Sequence, residues 1–134
     1  MEIDETTKEE LLWLERYAQN VLGGFHCCAE DPENGYPFAY VSDRFLEILG
    51  WEREEFVARF DNRYTALIHP DDLAAGLRYR NAENSATYAK NGDSIFRLLG
   101  KNGYRWVSNA ANRVEWHGKG YIVGTITDIT PYVE

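Results

Sequence analysis

Three apolar runs separated by two tight-turn signals fill the last third of this chain, and they constrain its fold more than any other feature. Ser94 to Leu99 runs into Lys101-Asn102-Gly103; Arg105 to Trp116 is followed by Gly118-Lys119-Gly120 and then by Tyr121 to Thr127. Asn-Gly between alternating apolar residues is the strongest short hairpin signal, because both residues tolerate the positive φ of a tight turn. The stretch predicts a three-strand antiparallel meander. Upstream, Phe25 to Ala29 and Phe38 to Val41 read as two further strands around the turn-forming cluster Asp31-Pro32-Glu33-Asn34-Gly35.

Between the two strand blocks the signals are helical. Ser42 or Asp43 suits the cap of a short helix carrying Phe45, Leu46, Ile48 and Leu49, which Gly50 ends. A second short helix is expected over Glu52 to Ala58. Pro70 suits the first position of a longer helix, with Asp71 and Asp72 at its positive end and Leu73 and Leu77 on its inner side. That helix is expected to fade before Asn91-Gly92. Strands, short helices and strands again make an α+β domain, with one antiparallel sheet of about five strands and helices on one face. An additional N-terminal helix is expected over residues 7–22, capped by Thr7 with Glu10 or by Thr6 with Glu9 and stopped by Gly23-Gly24. Its apolar stripe, Leu11, Leu14, Ala18 and Val21, packs either on the domain's own sheet or on the same helix of a second chain.

With 134 residues, 44% of them hydrophobic, the chain suits one domain with a core that needs no disulfides. A net charge of −8 argues against nucleic acid, whose phosphates demand a basic face, and against an anionic membrane surface. No apolar run approaches the ~20 residues that span a bilayer, and the acidic start is no signal peptide. Cys27 and Cys28 are neighbours in an expected strand, so their side chains point to opposite faces and a disulfide between them is strained. Both read as reduced thiols in a cytoplasmic protein. Two cysteines and three scattered histidines make no metal-ligand pattern.

An ordered set of landmarks adds a resemblance. Tyr40-Val41-Ser42-Asp43-Arg44-Phe45 is followed by Leu49-Gly50-Trp51, Glu54-Glu55-Phe56 and Ile68-His69-Pro70-Asp71-Asp72. Gly100-Lys101-Asn102-Gly103-Tyr104-Arg105-Trp106-Val107 and Gly124-Thr125-Ile126-Thr127-Asp128-Ile129-Thr130 complete it. Over roughly residues 24–130 this order and spacing resembles the PAS sensor family. The resemblance implies a sheet whose first strand sits centrally, and a signalling input module flanked by the helix at 1–23 and by a linker beginning at 131–134. It implies a C-terminal effector domain, a histidine kinase of a two-component system or a cyclic-dinucleotide enzyme. A homodimer is expected as well, with the N-terminal stripe as its candidate seam. A ligand-free interaction or dimerisation module is the alternative, and a small cavity enzyme comes third.

The family encloses a cavity between sheet and helices, which implies candidate lining residues here. The apolar ones are Phe25, Cys27, Tyr40, Phe45, Phe56, Ile68, Leu77, Phe96, Leu98, Trp106, Ala110 and Ile126; Ser108, Asn112 and Tyr40 are the polar ones. Each has the plainer reading of a core residue. Strand parity puts Trp106, Ser108, Ala110 and Asn112 on one face, taken as the inner one. The closing Asp128-Ile129-Thr130 corresponds to the triad that joins the family's last strand to its output linker. Its members are expected to matter for transmission more than for folding, with stability effects of ordinary surface size, ~0.5 kcal/mol. At Ser42 the family often carries asparagine; serine caps as well.

The ligand itself stays unidentified. His69, just before Pro70, suits a cap or turn better than a haem axial ligand. Asn62 to Leu67 lacks the cysteine of the light-sensing flavin branch. The protein is therefore expected to purify without a haem or flavin band. Enzyme candidates reduce to Cys27 or Cys28 with His26 or His69, and His26 and Cys27 diverge in one strand. Glu54-Glu55 and Asp71-Asp72 stand at helix starts, where the helix dipole accounts for them. No catalytic residue is expected.

Overall fold

A computed structural model describes residues 5–6, 8–10, 23–79 and 95–133. Five strands form one antiparallel sheet: β1 (Gly24–Ala29), β2 (Phe38–Val41), β3 (Ile95–Gly100), β4 (Gly103–Trp116) and β5 (Lys119–Asp128), in the order β2-β1-β5-β4-β3. β5 is the middle strand and β1 lies interior beside it. Every residue of β1 is buried, as expected of a strand covered on both faces. Four short helices follow β2: α1 (Asp43–Leu49), α2 (Arg53–Phe60), α3 (Tyr64–Leu67) and α4 (Leu73–Gly76).

Ser42 caps α1, its Oγ accepting from the N–H groups of Phe45 at 3.2 Å and Phe25 at 3.0 Å, so one hydroxyl ties the helix start to β1. Gly50 ends the helix at φ 82°, as its position predicts. Gly24 lets α1 lie directly on the sheet: a Cβ there would meet the Phe45 Cα at 2.5 Å. Under α1 to α3 the core is largely aromatic. Phe38 packs on Phe56 at 5.3 Å and on Tyr64 at 5.5 Å, and Phe45 and Phe56 meet edge to face at 6.1 Å. Offset and edge-on contacts of this kind are the favoured ones for rings.

Several elements differ from expectation. The Gly118-Lys119-Gly120 turn is centred instead on His117 and Gly118, at φ 53° and 75°, and Lys119 and Gly120 already belong to β5. Two positive φ values are what a two-residue hairpin turn demands, and the cross-strand pair Trp116 with Lys119 closes it. The long helix after Pro70 is only a single 3-10 turn followed by α4; Leu77 ends it, and residues 80–94 lie outside the described ones. Leu73 is exposed rather than inward, while Gly76, which packs against Ile68, takes the inner place. α3 was not anticipated, because four residues are too few for a periodic signal. Glu5, Thr6 and residues 8–10 are helical, and Glu10 bonds His117 at 2.8 Å. With Thr6 already helical, the helix starts upstream of the expected capping pair. Leu11, Leu14, Ala18 and Val21 lie outside the described residues.

Candidate functional site

The sheet has two buried faces, and their membership reverses part of the sequence reading. Toward the helices point His26 and Cys28 of β1, Val107, Asn109 and Ala111 of β4, and Ile122, Gly124 and Ile126 of β5. Phe25, Cys27 and Tyr40 lie on the other face, in a second cluster with Tyr121, Trp116 and Val123. Trp106, Ser108, Ala110 and Asn112 share that outer parity; Ala110 and Asn112 are exposed, and the Arg97 guanidinium sits 4.9 Å over the Trp106 ring. A two-residue period says which side chains share a face but not which face is inward. In β2 the parity is broken by a bulge: Cys28 pairs with Phe38 and Cys27 with Tyr40, so Phe38 and Val41 both face the core.

On the inner face Phe45, Phe56, Ile68, Phe96, Leu98 and Ile126 are packed into the core. The empty space lies beside them, over the centre of the sheet. There a small pocket, its enclosed space about 10 Å³ and so room for about one water, is lined by His26, Cys28, Ala111, Asn109 and Ile122 from the sheet. Tyr36, Tyr64 and the stretch from Gly76 to Tyr79 form the rest of its wall. Leu77 alone among the expected residues borders it. Across the sheet His26, Gly124 and Ala111 form one row and Cys28 with Ile122 the next, so the floor is made largely of short side chains.

Gly124 also permits a polar link in the floor. His26 pairs with Gly124 across β1 and β5, and its Nε2 reaches over that residue to Asn109 Oδ1 on β4, 3.0 Å away. A Cβ on residue 124 would lie 2.7 Å from the His26 Nε2 and 2.9 Å from the Asn109 oxygen. The His26 ring stacks on Tyr64 at 5.4 Å and leans on Phe45 at 5.6 Å. Burial lowers its pKa to about 4, despite the hydrogen bond to Asn109, so the imidazole is neutral at physiological pH. Nδ1 is buried, with no hydrogen-bond partner among the described residues. At the rim Arg113 holds Glu30 through both carboxylate oxygens, at 2.7 and 2.9 Å, and the Tyr79 hydroxyl donates to Glu30 at 3.3 Å. His26 and Asn109 were missed as a pair because each reads alone as one polar residue in a strand. The available signal was a histidine inside an otherwise apolar buried strand, opposite a glycine in the middle of β5.

The second candidate region is the exit from β5. Asp128 meets the Arg105 guanidinium at 2.6 Å and accepts from the Thr130 N–H at 3.0 Å. Thr130 Oγ1 accepts from the Trp106 N–H at 2.9 Å, and the Ile129 N–H donates to the Trp106 carbonyl at 2.9 Å. Burial pushes the Asp128 carboxyl up, but the bonds from Arg105 and Thr130 outweigh it and hold it below the usual carboxylate range. The exit is thus stitched to β4, which corrects the expectation of an ordinary surface position.

His69 acts as a cap: its Nδ1 accepts from the Asp71 N–H at 3.1 Å. Asp72 receives Arg97 through both oxygens, at 2.8 and 2.9 Å. Burial raises the Cys27 thiol to about 12 and the Cys28 thiol well up too, with Cys27 adding to the latter shift. Among the described residues no group of three or more His, Cys, Asp or Glu is placed to hold a metal ion. Among them, too, no helix is long and apolar enough to cross a membrane.

A family model described as the PAS fold matches residues 38–126. No curated protein matches the chain. Among solved structures, a PAS domain from a two-component sensor histidine kinase superposes with TM-score 0.58 at 14% identity, covering 91% of this chain and 98% of that one. A sensory box histidine kinase/response regulator from Burkholderia thailandensis gives 0.55 at 22% identity, with 89% and 86% covered. The PAS domain of the fruit-fly ELK potassium channel gives 0.55 at 17%, with 90% and 97% covered. At these identities the likeness is one of fold, and that fold serves a kinase and a channel alike.

Proposed function

The chain belongs to the PAS family of sensory domains, and on that premise we propose that it senses a small molecule held over the centre of its sheet and biases a downstream effector domain. The observation that carries the reading is the floor of the pocket. Residues of three strands meet there, and a neutral histidine bonded to Asn109 has a buried Nδ1 with no partner among the described residues. Apolar walls with a few convergent polar groups are what a ligand pocket needs.

The effector is a histidine kinase in this reading, a choice supported by the kinase origin of two of the similar structures. A homodimer formed through Leu11, Leu14, Ala18 and Val21 is supported by their helical spacing. The module works in the cytoplasm and catalyses no reaction of its own. Two raised thiols, neither a thiolate at neutral pH, support the absence of a cysteine nucleophile. Asp128, Ile129 and Thr130 carry the signal out of the sheet.

The test is mass spectrometry of whatever leaves the protein when it is purified from cells and denatured. One small molecule in near-stoichiometric amount is expected. A protein that releases nothing, and whose melting temperature no small-molecule fraction of a cell extract raises, speaks for a ligand-free interaction module instead.

A further inference from the structure

The space over the sheet encloses about 10 Å³, so anything larger than a water enters only if a wall moves. The walls are not equally fixed. The floor belongs to β1, β5 and β4, which are paired with one another along their length. Tyr64 is buried, stacked on His26 and edge-on to Phe38. The remaining wall, residues 76–79, is the end of a short strap that begins at Pro70. Within it α4 is four residues long; Gly76 is its buried residue, and Leu73 points out to solvent. A segment with so little buried apolar surface opens at lower cost than the sheet beneath it.

Both ends of the strap are tied to the sheet by polar groups. At its root Asp72 receives Arg97 through both carboxylate oxygens, at 2.8 and 2.9 Å, and accepts the Arg97 backbone N–H at 2.9 Å. The His69 N–H donates to the Arg97 carbonyl at 3.0 Å, so the root is clamped to β3. At the far end the Tyr79 hydroxyl donates to Glu30 at 3.3 Å, long for an O–H donor. The catch it meets is firm. Arg113 grips Glu30 at 2.7 Å, and the Glu30 N–H donates to the Gly120 carbonyl of β5 at 3.0 Å. Gly120 lets the pair lie flat on the sheet, since a Cβ there would come within 2.6 Å of the Glu30 Oε1.

We propose that residues 76–79 are a gate over the pocket, hinged at the Asp72–Arg97 clamp and latched by the Tyr79 hydroxyl on Glu30, and that a guest reaches the floor after this latch parts. This rests on the sensory reading and adds to it the way the site is entered. The chain carries its own reporter. Cys28 lines the space beneath the gate, whereas its neighbour Cys27 lies buried on the other face of the sheet. Both are alkylated with iodoacetamide, a small uncharged reagent, and fragmentation of the labelled peptide tells the two apart. Tyr79→Phe, which deletes the latch oxygen alone, should raise the Cys28 rate at least about threefold, the size of change that a lost hydrogen bond produces. Cys27 should keep its wild-type rate. Glu30→Ala removes the catch and should also speed Cys28, and the double variant should be labelled no faster than Glu30→Ala alone. An unchanged Cys28 rate in Tyr79→Phe would overturn the latch, as would effects that multiply in the double variant. Cys27 rising in step with Cys28 would overturn the gate, because the whole domain would then be opening. The sensory reading is judged separately, by the molecule released on denaturation.

Discussion

A histidine in the middle of a buried strand sets a pH dependence in the mildly acidic range. The His26 pKa is lowered by burial from 6.5 to about 4, so folding favours the neutral ring. The unfolded chain binds a proton there as pH falls through 6.5 and the folded one only near 4, so stability is complete above that window and is lost within it. The loss amounts to ~3 kcal/mol and levels off below the folded value. Asp72 and Asp128 act in the same direction but lower, because their carboxyls are held below the usual range and lose their contribution only as pH falls beneath it. Urea unfolding from pH 7 to pH 4.5 should therefore show a steady decline in wild type, and a much shallower one in His26→Gln. Parallel declines would assign the effect to other groups. Gly124 is the second residue on which the floor depends. Its backbone is ordinary strand, so Gly124→Ala acts through space alone, driving a methyl into the His26–Asn109 bond. Overpacking and the broken bond together should cost about 2–4 kcal/mol. Adding Asn109→Ala should recover part of that cost, a coupling that a double-mutant cycle reads directly. Strict additivity would mean that the methyl strains something else.

At the scale of elements, the strand exit is a structural fastener as well as a candidate relay. Asp128→Ala removes a charge-assisted bond and strands a half-buried guanidinium whose Nε already lacks a partner among the described residues. With Asp128 partly exposed, the expected cost is about 1–2 kcal/mol by thermal or denaturant unfolding. A change within ~0.5 kcal/mol would return the position to ordinary surface behaviour. The elements themselves were largely legible beforehand. Turn chemistry marked both hairpins, and Ser42 and Gly50 bracketed α1 because capping is a local matter of one side chain and one φ angle. The inward face was not legible, since strand alternation is symmetric and the choice is made by helices packing from one side. The bulge at β2 was hidden for a related reason: it becomes visible only when Phe38 and Val41 are seen to share a face. The pocket was illegible because it is made by an absence. Cys28, Ala111 and Ile122 are unremarkable in sequence and meet at the pocket only when the β1-β5-β4 order brings their strands together.

For the molecule as a whole, the pocket and the exit are built on the same two strands. Asn109 stands three residues after Trp106 along β4, and Gly124 four residues before Asp128 along β5. At about 3.4 Å per residue these are separations of roughly 10 and 14 Å through paired strands. β4 and β5 are bonded along their whole shared length, from Val107 with Asp128 to Trp116 with Lys119. A guest that pushes on Ala111 or Asn109 therefore acts on the strand whose Trp106 holds both Ile129 and Thr130. Spatial intermediacy alone is no demonstration of coupling, so the shared strands must be made to report. Ala111→Leu fills the pocket in place of a guest and leaves every group of the exit unchanged. Its amide hydrogen exchange should differ from wild type at Trp106, Ile129 and Thr130 by about threefold or more. The Phe56 amide, bonded at 2.9 Å to Glu52 at the start of α2, serves as the reference. A bias of this size is below 1 kcal/mol, yet it is enough to shift a balanced two-state equilibrium measurably. If exchange at the exit follows Phe56 in both proteins, occupancy of the pocket does not reach the exit through the sheet, and Asp128 and Thr130 are fasteners alone.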